Sequence, residues 1–230
     1  MEFDCSPFFD QYLELRRAAD DAFQRTRTEH PSCVTCRVGC SDCCYALFDL
    51  SLVEALYISS RVRAAFDAPT LKALMEEANR ADRQVYRLKR DAYRDLQNGR
   101  NEREILEKMA AQRLRCPLLN AQERCDLYAD RPITCRLYGI PTGIDGQSHT
   151  CGLSAFETGR AYPTANLDLI NQRLRAISEA MARAMGSKHV RLGELLVPLS
   201  MAILTVFDEA YLGISSAEDK DKNTCKKAAS

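Results

Sequence analysis

The sequence predicts a mainly α-helical protein, in which a helical scaffold carries two cysteine-rich irregular loops that pack together. Apolar residues recur at helical spacing over most of the chain. Prolines and glycines punctuate residues 116–164 too often for long elements. Nine of the eleven cysteines fall into two blocks, at 33–44 and at 116–151. Helices joined by cysteine-bearing irregular segments therefore form the expected architecture.

The helix boundaries follow from caps and breaks. Ser6 can cap a helix that opens with Pro7 and ends near His30-Pro31, because the residue before a proline avoids helical angles. Ser51 and Glu54 have the spacing of a capping box. Asn98-Gly99 is typical of a helix end. The predicted helices are 6–28, 51–66, 69–97, 102–114, 164–185 and 191–212.

These elements predict a single helical domain over residues 1–214. A chain of 230 residues can bury a sizeable core without covalent cross-links. Within the domain, the cysteine-cluster region spans 33–151 and the C-terminal helices span 164–212. The small and charged residues of 215–230 predict a flexible tail.

Composition argues against nucleic acid and membrane partners. Lys+Arg and Asp+Glu both total 32, so the net charge is zero and the broad electrostatic attraction to nucleic acid is missing. No apolar run approaches the ~18 residues that span a bilayer. The first residues resemble no secretory signal, since they have neither a basic nor an apolar segment. We expect a cytoplasmic protein.

The first cysteine block, Cys33-Val-Thr-Cys36-Arg-Val-Gly-Cys40-Ser-Asp-Cys43-Cys44, holds five cysteines in twelve residues. Two-residue spacers let a tight turn direct two sulfurs at one metal. In a reducing compartment such spacing favours metal ligands over disulfides or buried small side chains. The second block comprises Cys116, Cys125, Cys135 and Cys151.

The number of clustered cysteines favours more than one metal site. A tetrahedral zinc or a cubane iron–sulfur cluster takes four cysteines, so nine clustered cysteines could fill two sites with one left over. We expect the neighbouring side chains of Cys43 and Cys44 to diverge toward different metals or different irons. The first block cannot complete two sites, so the second block should fold back onto it.

Arginines accompany the cysteines. A four-thiolate centre carries a charge of about −2, which nearby cations offset. We expect Asp130 to cap a short helical turn opened by Pro132, from which Cys135 projects. Arg131 and Arg136 could then donate hydrogen bonds toward sulfur or anchor the loop, or form ordinary surface salt bridges. The arginines directly beside clustered cysteines are Arg37, Arg115, Arg124 and Arg136.

Four segments carry a family resemblance: Gly39-Cys40-Ser-Asp-Cys43-Cys44, Cys116-Pro-Leu-Leu, Cys125-Asp-Leu-Tyr128 and Arg131-Pro-Ile-Thr-Cys135-Arg136-Leu-Tyr138. Together they resemble the YkgJ-type cysteine-cluster family, described as a zinc- or iron-chelating domain. The spacer between Cys36 and Cys40 has three residues where that family has two, which leaves open whether Cys33 or Cys36 is a ligand. The resemblance implies eight metal-facing positions: Cys36, Cys40, Cys43, Cys44, Cys116, Cys125, Cys135 and Cys151.

Three functions are compatible with these thiols. The first is an iron–sulfur protein, with a cluster of the [4Fe–4S] type and a redox role toward a partner protein. The second is a zinc protein with structural or polynuclear zinc that binds a partner, and the third is a metal chaperone or sensor. The metal-facing positions are all cysteine, with no histidine or carboxylate among them, which argues against catalytic zinc. An iron–sulfur oxidoreductase is possible, but the sequence identifies no catalytic acid, base or nucleophile.

Overall fold

The structure is a computed structural model that describes residues 3–214, and it confirms the mainly α-helical class. The tail predicted at 215–230 lies outside the described residues. Within them there are four long helices: α1 (Ser6–Glu29), α2 (Leu52–Ala65), α3 (Ala68–Gln97) and α6 (Leu167–Ala184). The short helices are α4 (Glu102–Ala110), α5 (Ile133–Leu137), α7 (Leu199–Leu204) and α8 (Glu209–Leu212).

Among residues 3–214, five short strands form two small sheets. β1 (Asp49–Ser51) pairs antiparallel with β5 (Leu196–Pro198), with Leu50 opposite Val197. This pair joins the start of α2 to the start of α7. The other sheet has the order β3-β2-β4 and contains β2 (Thr142–Ile144), β3 (Gln147–His149) and β4 (Ala165–Asn166).

Side chains cap the first turns of several helices. Ser51 Oγ accepts the Glu54 N–H, as the capping-box spacing predicts. Asp67 accepts the Thr70 N–H at the start of α3, at 3.0 Å. At α1 the predicted cap is wrong by one position: Ser6 is already helical, and its N–H is satisfied by the Asp4 carboxylate at 2.9 Å.

The helix predicted at 102–114 ends at Ala110. Beyond it the chain straightens and pairs with the first cysteine loop: Arg113 forms a β-bridge with Ala46, and the Leu114 N–H donates to the Tyr45 carbonyl at 3.0 Å. Backbone pairing with a distant segment thus replaces the last helical turn. As a result, Cys116 lies next to the first cysteine block.

The helix predicted at 191–212 is wrong as a single element. The chain instead forms a 3₁₀ turn (Leu192–Glu194), β5, α7 and α8. Pro198 cannot donate a hydrogen bond inside a helix, and it lies at the end of β5. Asp208 then caps α8 by accepting the Tyr211 N–H at 2.8 Å.

One hydrophobic cluster lies between α1, α2 and α6 and extends to the turn of α5. Tyr12, Ile58 and Met181 are fully buried in it. Because Ile133 and Leu137 belong to the same cluster, the segment that carries Cys135 is packed onto the helical core. No helix among the described residues is both long and apolar enough to cross a membrane.

Candidate metal centre

Backbone hydrogen bonds join the two cysteine blocks. The Cys116 N–H donates to the Cys44 carbonyl at 2.7 Å. Farther along, the Ala155 N–H donates to the Cys33 carbonyl at 3.0 Å, and Thr35 Oγ1 donates to the Leu153 carbonyl at 2.8 Å. The second block therefore folds back onto the first, and the two loops pack together as the predicted fold class requires.

Two charged residues, Glu54 and Arg136, anchor the turn that carries Cys135. The buried Glu54 carboxylate accepts the Ile133 N–H at 3.2 Å, and burial raises the pKa of this carboxyl. The Arg136 guanidinium donates to both oxygens of Asp20, at 2.9 and 2.8 Å. It also donates to the backbone carbonyls of Ala129 and Arg131. Arg136 thus anchors the loop, which is one of its two predicted roles, and its contact with a cofactor stays a prediction.

Asp130 does not cap this turn. Its carboxylate accepts hydrogen bonds from Tyr57 Oη at 2.7 Å, Arg61 Nε at 2.9 Å and Arg16 Nη1 at 3.1 Å. Three donors from α1 and α2 satisfy the carboxylate better than one backbone N–H would. The expected cap is wrong for that reason, and Pro132 precedes α5 without any side-chain cap.

Six of the eight predicted ligands line one cavity of about 320 Å³. Its other wall is apolar and includes Phe48, Val85 and Leu199, which come from the segment before α2, from α3 and from α7. Thiols on one side and hydrocarbon on the other make a site that disfavours bulk water. The six cysteines are Cys40, Cys43, Cys44, Cys116, Cys125 and Cys135.

The neighbouring thiols of Cys43 and Cys44 converge, so the expected divergence is wrong. The Cys44 thiol interacts with the thiols of both Cys43 and Cys125. The hydrogen bond from Cys44 lowers the pKa of Cys43 to about 7. The same contact lowers the pKa of Cys125 and raises that of Cys44. Three sulfurs from both blocks therefore meet at Cys44.

Burial opposes ionisation of the other thiols. It raises the pKa of Cys116 to about 12 and that of Cys36 to about 11, and it raises the pKa of Cys135 well above its usual range. Neighbouring thiols add to each increase. Because metals bind thiolates, a cation in this cavity must displace protons from buried sulfur.

Arg131 is one of four arginines that line the cavity, with Arg37, Arg115 and Arg124. Its guanidinium carbon lies 4.1 Å from the centre of the Tyr128 ring, and its positive charge lowers the pKa of Cys36, Cys43, Cys125 and Cys135 against the effect of burial. Its Nε is buried and has no hydrogen-bond partner among the described residues. A buried N–H without an acceptor is costly. An anionic metal–thiolate group in the cavity would fit this donor and this charge.

The two remaining predicted ligands, Cys36 and Cys151, do not line the cavity. Cys151 Sγ is 3.3 Å from Asp42 Oδ2, and Cys36 Sγ is 3.7 Å from the Tyr138 carbonyl. Burial acts to raise the pKa of Asp42, but hydrogen bonds from Tyr138, Cys151 and Arg113 outweigh it and hold that pKa below its usual value. The Asp42 carboxylate therefore links Tyr138, Arg113 and the Cys151 thiol.

The nine clustered cysteines are free thiols. Within residues 3–214, no three His, Cys, Asp or Glu side chains are already at the mutual distances of a formed metal site. Cys33 does not line the cavity. Of the two nearby histidines, His149 is exposed on β3, and His30 packs edge-to-face on Tyr162 with ring centres 5.2 Å apart.

Residues 35–152 match the model of the family CxxCxxCC, "Putative zinc- or iron-chelating domain". The match covers 118 of the 230 residues. The chain belongs to this family. The CxxCxxCC match begins after Cys33 and contains all eight predicted ligands. Comparison with curated proteins and with solved structures gave no match. Membership of the CxxCxxCC family supports metal binding by the chain.

Sequence reasoning assigned no role to two polar groups of the site, Asp42 and Tyr138. The Tyr138 hydroxyl donates to Asp42 Oδ2 at 2.8 Å, and the Cys151 thiol donates to the same oxygen at 3.3 Å. In the sequence, the role of Asp42 is indicated only by its position between Cys40 and Cys43, two predicted metal ligands. Tyr138 closes the segment that contains Cys135, and only the folded chain brings it to Asp42.

Proposed function

We propose that the protein carries an iron–sulfur cluster in the thiol-lined cavity and exchanges electrons with a partner protein. The observation that carries this proposal is the arrangement of six thiols around a single cavity of about 320 Å³. A mononuclear ion would leave most of that volume empty, whereas a polynuclear cluster would occupy more of it. Iron–sulfur clusters of the [4Fe–4S] type take four cysteine thiolates, so the cavity offers more than enough ligands.

The residues around the cavity have distinct tasks in this proposal. The thiols of Cys43, Cys116, Cys125 and Cys135 bind and orient the group, and Arg131 offsets its negative charge. Phe48, Val85 and Leu199 exclude water from one side. When bound, an iron–sulfur cluster supplies one-electron transfer, and its potential depends on charge, hydrogen bonds to sulfur and solvent exposure. Arg131 and the apolar wall act on those quantities.

Zinc is the second candidate, with a structural role and a partner-binding surface. The observation that favours it is the interaction of the Cys44 thiol with the thiols of Cys43 and Cys125, which links sulfurs of both blocks. Structural zinc contributes ~10–16 kcal/mol of apparent binding energy to folding. Such an ion could order the segment 116–164, which has few hydrogen-bonded elements of its own.

Metal and sulfide analysis separates the two candidates. Protein purified without oxygen should contain iron and acid-labile sulfide and show the visible absorbance of an iron–sulfur cluster. Cys125→Ser should lose most of the iron, whereas Cys33→Ser, a matched change outside the cavity, should keep it. Colourless protein with zinc and no labile sulfide would overturn the iron–sulfur proposal in favour of zinc. Equal iron loss in both variants would contradict the cavity as the binding site.

A further inference from the structure

The thiol-lined cavity opens to solvent along a rim of six residues. Each of the six both lines the cavity and is exposed: Arg37, Val38, Gly39, Arg115, Arg124 and Tyr128. Three of them precede Cys40 in the first cysteine block, and the other three come from residues 115–128. Three are arginines and none is acidic. A molecule that approaches the cavity from solvent therefore meets these residues first.

The lining of the cavity is positively charged, although the net charge of the whole chain is zero. Four arginines line it, and Glu123 is its only carboxylate within residues 3–214. Four positive charges against one negative charge give a formal charge of +3, apart from any charge on the thiols. A concentration of one sign of charge at a cleft attracts ligands or partners of the opposite sign.

Two of the rim arginines, Arg37 and Arg124, have no ionic partner. In the part of the chain that the structure describes, neither guanidinium forms a salt bridge or a hydrogen bond. The third rim arginine, Arg115, is occupied: it donates to two backbone carbonyls, at 2.6 and 2.9 Å, and lies 3.7 Å from the Glu123 carboxylate. Arg131 is half-buried, which suits it to a group inside the cavity. Arg37 and Arg124 remain for anions that arrive from solvent.

Two apolar side chains are exposed beside these arginines. Val38 is 82% exposed and Tyr128 is 64% exposed. Val38 lies in a tight turn, in which the Cys40 N–H donates to the Arg37 carbonyl at 3.0 Å and Gly39 has φ +87°. Tyrosine and arginine are enriched at protein interfaces. Exposed apolar side chains among unpaired arginines therefore give the rim the composition of a protein-binding surface.

We propose that the rim is the docking surface for the redox partner, and that this partner is a protein with an acidic patch around an apolar centre. The inference rests on the proposed function, because it names the partner that exchanges electrons with a cluster in the cavity. Carboxylates of the partner pair with Arg37 and Arg124, and its apolar centre covers Val38 and Tyr128. One electron then passes between cluster and partner, so that one is oxidised as the other is reduced and no bond forms or breaks.

The size and charge of the rim favour a protein over a nucleic acid. Weak electron-transfer encounters commonly bury less than ~1,200 Å² in total, so a small surface is sufficient. Nucleic-acid binding depends on the neutralisation of many phosphates, whereas this chain has zero net charge. Electron transfer also slows steeply with distance, and a partner that covers the rim lies directly over the cavity.

The test measures how tightly the full-length protein, purified without oxygen, binds a dye-labelled plant-type ferredoxin, a small acidic electron-transfer protein. Fluorescence anisotropy gives the dissociation constant, and the cluster absorbance is recorded for each sample. The rim variant combines Arg37→Glu with Arg124→Glu. We expect it to bind the ferredoxin at least ~10-fold more weakly at low salt, because two attractive charges become repulsive. Binding by the unchanged chain should weaken as salt is added, since exposed charges are screened.

The control variant combines Arg25→Glu with Arg173→Glu. These arginines are exposed on α1 and α6, lie outside the lining of the cavity and form no ion pair within residues 3–214. The change in net charge equals that of the rim variant, so binding should stay within ~2-fold of the unchanged chain if the rim is the docking surface. Equal weakening in both variants would mean that net charge governs association, and it would overturn the proposal.

Val38→Ser keeps the proposal testable if the charge reversals disturb folding, because it changes an exposed side chain and no charge. Loss of this apolar contact should weaken ferredoxin binding by about 5-fold.

Three other results would also be decisive. A cluster-containing chain that does not bind the ferredoxin at low salt, or that binds it equally well in the rim variant, would overturn the docking surface and leave the proposed function intact. Tighter binding of a single-stranded oligonucleotide than of the ferredoxin, lost in the rim variant, would overturn it in favour of nucleic acid. Colourless protein without labile sulfide would overturn the proposed function itself.

Discussion

The Arg136 guanidinium donates two hydrogen bonds to the Asp20 carboxylate, at 2.9 and 2.8 Å, and so connects the turn that carries Cys135 to α1. The side chain of Arg136 is 7% exposed and that of Asp20 is 40% exposed. The arginine therefore lies in the protein interior with its partner at the edge. The position of one predicted ligand depends on an ion pair with a helix that precedes both cysteine blocks.

Replacing Arg136 by methionine should lower the free energy of unfolding by about 3 kcal/mol. The change leaves the carbonyls of Ala129 and Arg131 and the Asp20 carboxylate without their hydrogen-bond donor. Denaturant unfolding measures this loss. Arg17→Met is the matched control, since its pair with Glu14 on α1 is exposed on both sides. That change should cost less than ~0.5 kcal/mol. Equal losses would contradict the anchoring role of Arg136.

Asp130→Asn should lower stability by about 2 kcal/mol near neutral pH, since the charged acceptor of three hydrogen bonds is lost. Burial acts to raise the pKa of Asp130, but donation from Tyr57, Arg61 and Arg16 outweighs it and holds the pKa below its usual value. A carboxyl with a lowered folded-state pKa stabilises the fold above its unfolded pKa of about 3.9 and loses that contribution as the pH falls further.

The stability difference between Asp130→Asn and the unchanged chain should therefore shrink below about pH 4. Urea unfolding at several pH values measures it. Asp21→Asn changes an exposed carboxylate on α1 and should shift stability by less than ~0.5 kcal/mol. A difference that grows as the pH falls would refute the assignment of the ion network to Asp130.

Gly139→Ala should displace Cys36. Gly139 has φ +106°, which an alanine adopts only with strain, and a Cβ at this position would overlap Cys36 Sγ. We expect Co²⁺ to bind with reduced stoichiometry or affinity, measured by titration of Co²⁺ into metal-free protein. Gly143→Ala is the control, because its added Cβ would meet Thr164 at an ordinary 3.5 Å. Full metal binding in Gly139→Ala would show that Cys36 is not a ligand.

Arg131→Gln should make the bound centre harder to reduce, because the positive charge that offsets added negative charge is lost. We expect the reduction potential to fall by on the order of 60 mV, equivalent to about 1.4 kcal/mol for a one-electron couple. Arg124→Gln is the control: Arg124 is next to Cys125 and lines the cavity but is exposed to water, so its charge is screened. Voltammetry of both variants measures the shifts. A fall of equal size in Arg124→Gln would argue against the special position of Arg131.

Local patterns predicted much of this molecule. The periodic apolar residues of α1, α2 and α3 and the cap at Ser51 depend on neighbours in sequence, and both were predicted. The spacing of the two cysteine blocks likewise identified the family region.

Long-range contacts explain what the sequence did not reveal. The end of α4 at Ala110 depends on pairing between Leu114 and Tyr45. The convergence of Cys43 and Cys44 depends on Cys125 from the other block, and the orientation of Asp42 depends on Tyr138. None of these partners is a neighbour in sequence, so no local pattern could indicate them.

X-ray absorption at the iron and zinc edges of anaerobically purified protein tests the central claim most directly, because it reports the element, its ligand atoms and any second metal nearby. The account predicts iron in a shell of sulfur with metal–metal scattering from a cluster in the cavity. Zinc with four sulfur neighbours at ≈ 2.3 Å and no metal–metal scattering, in protein that contains no iron, would contradict it.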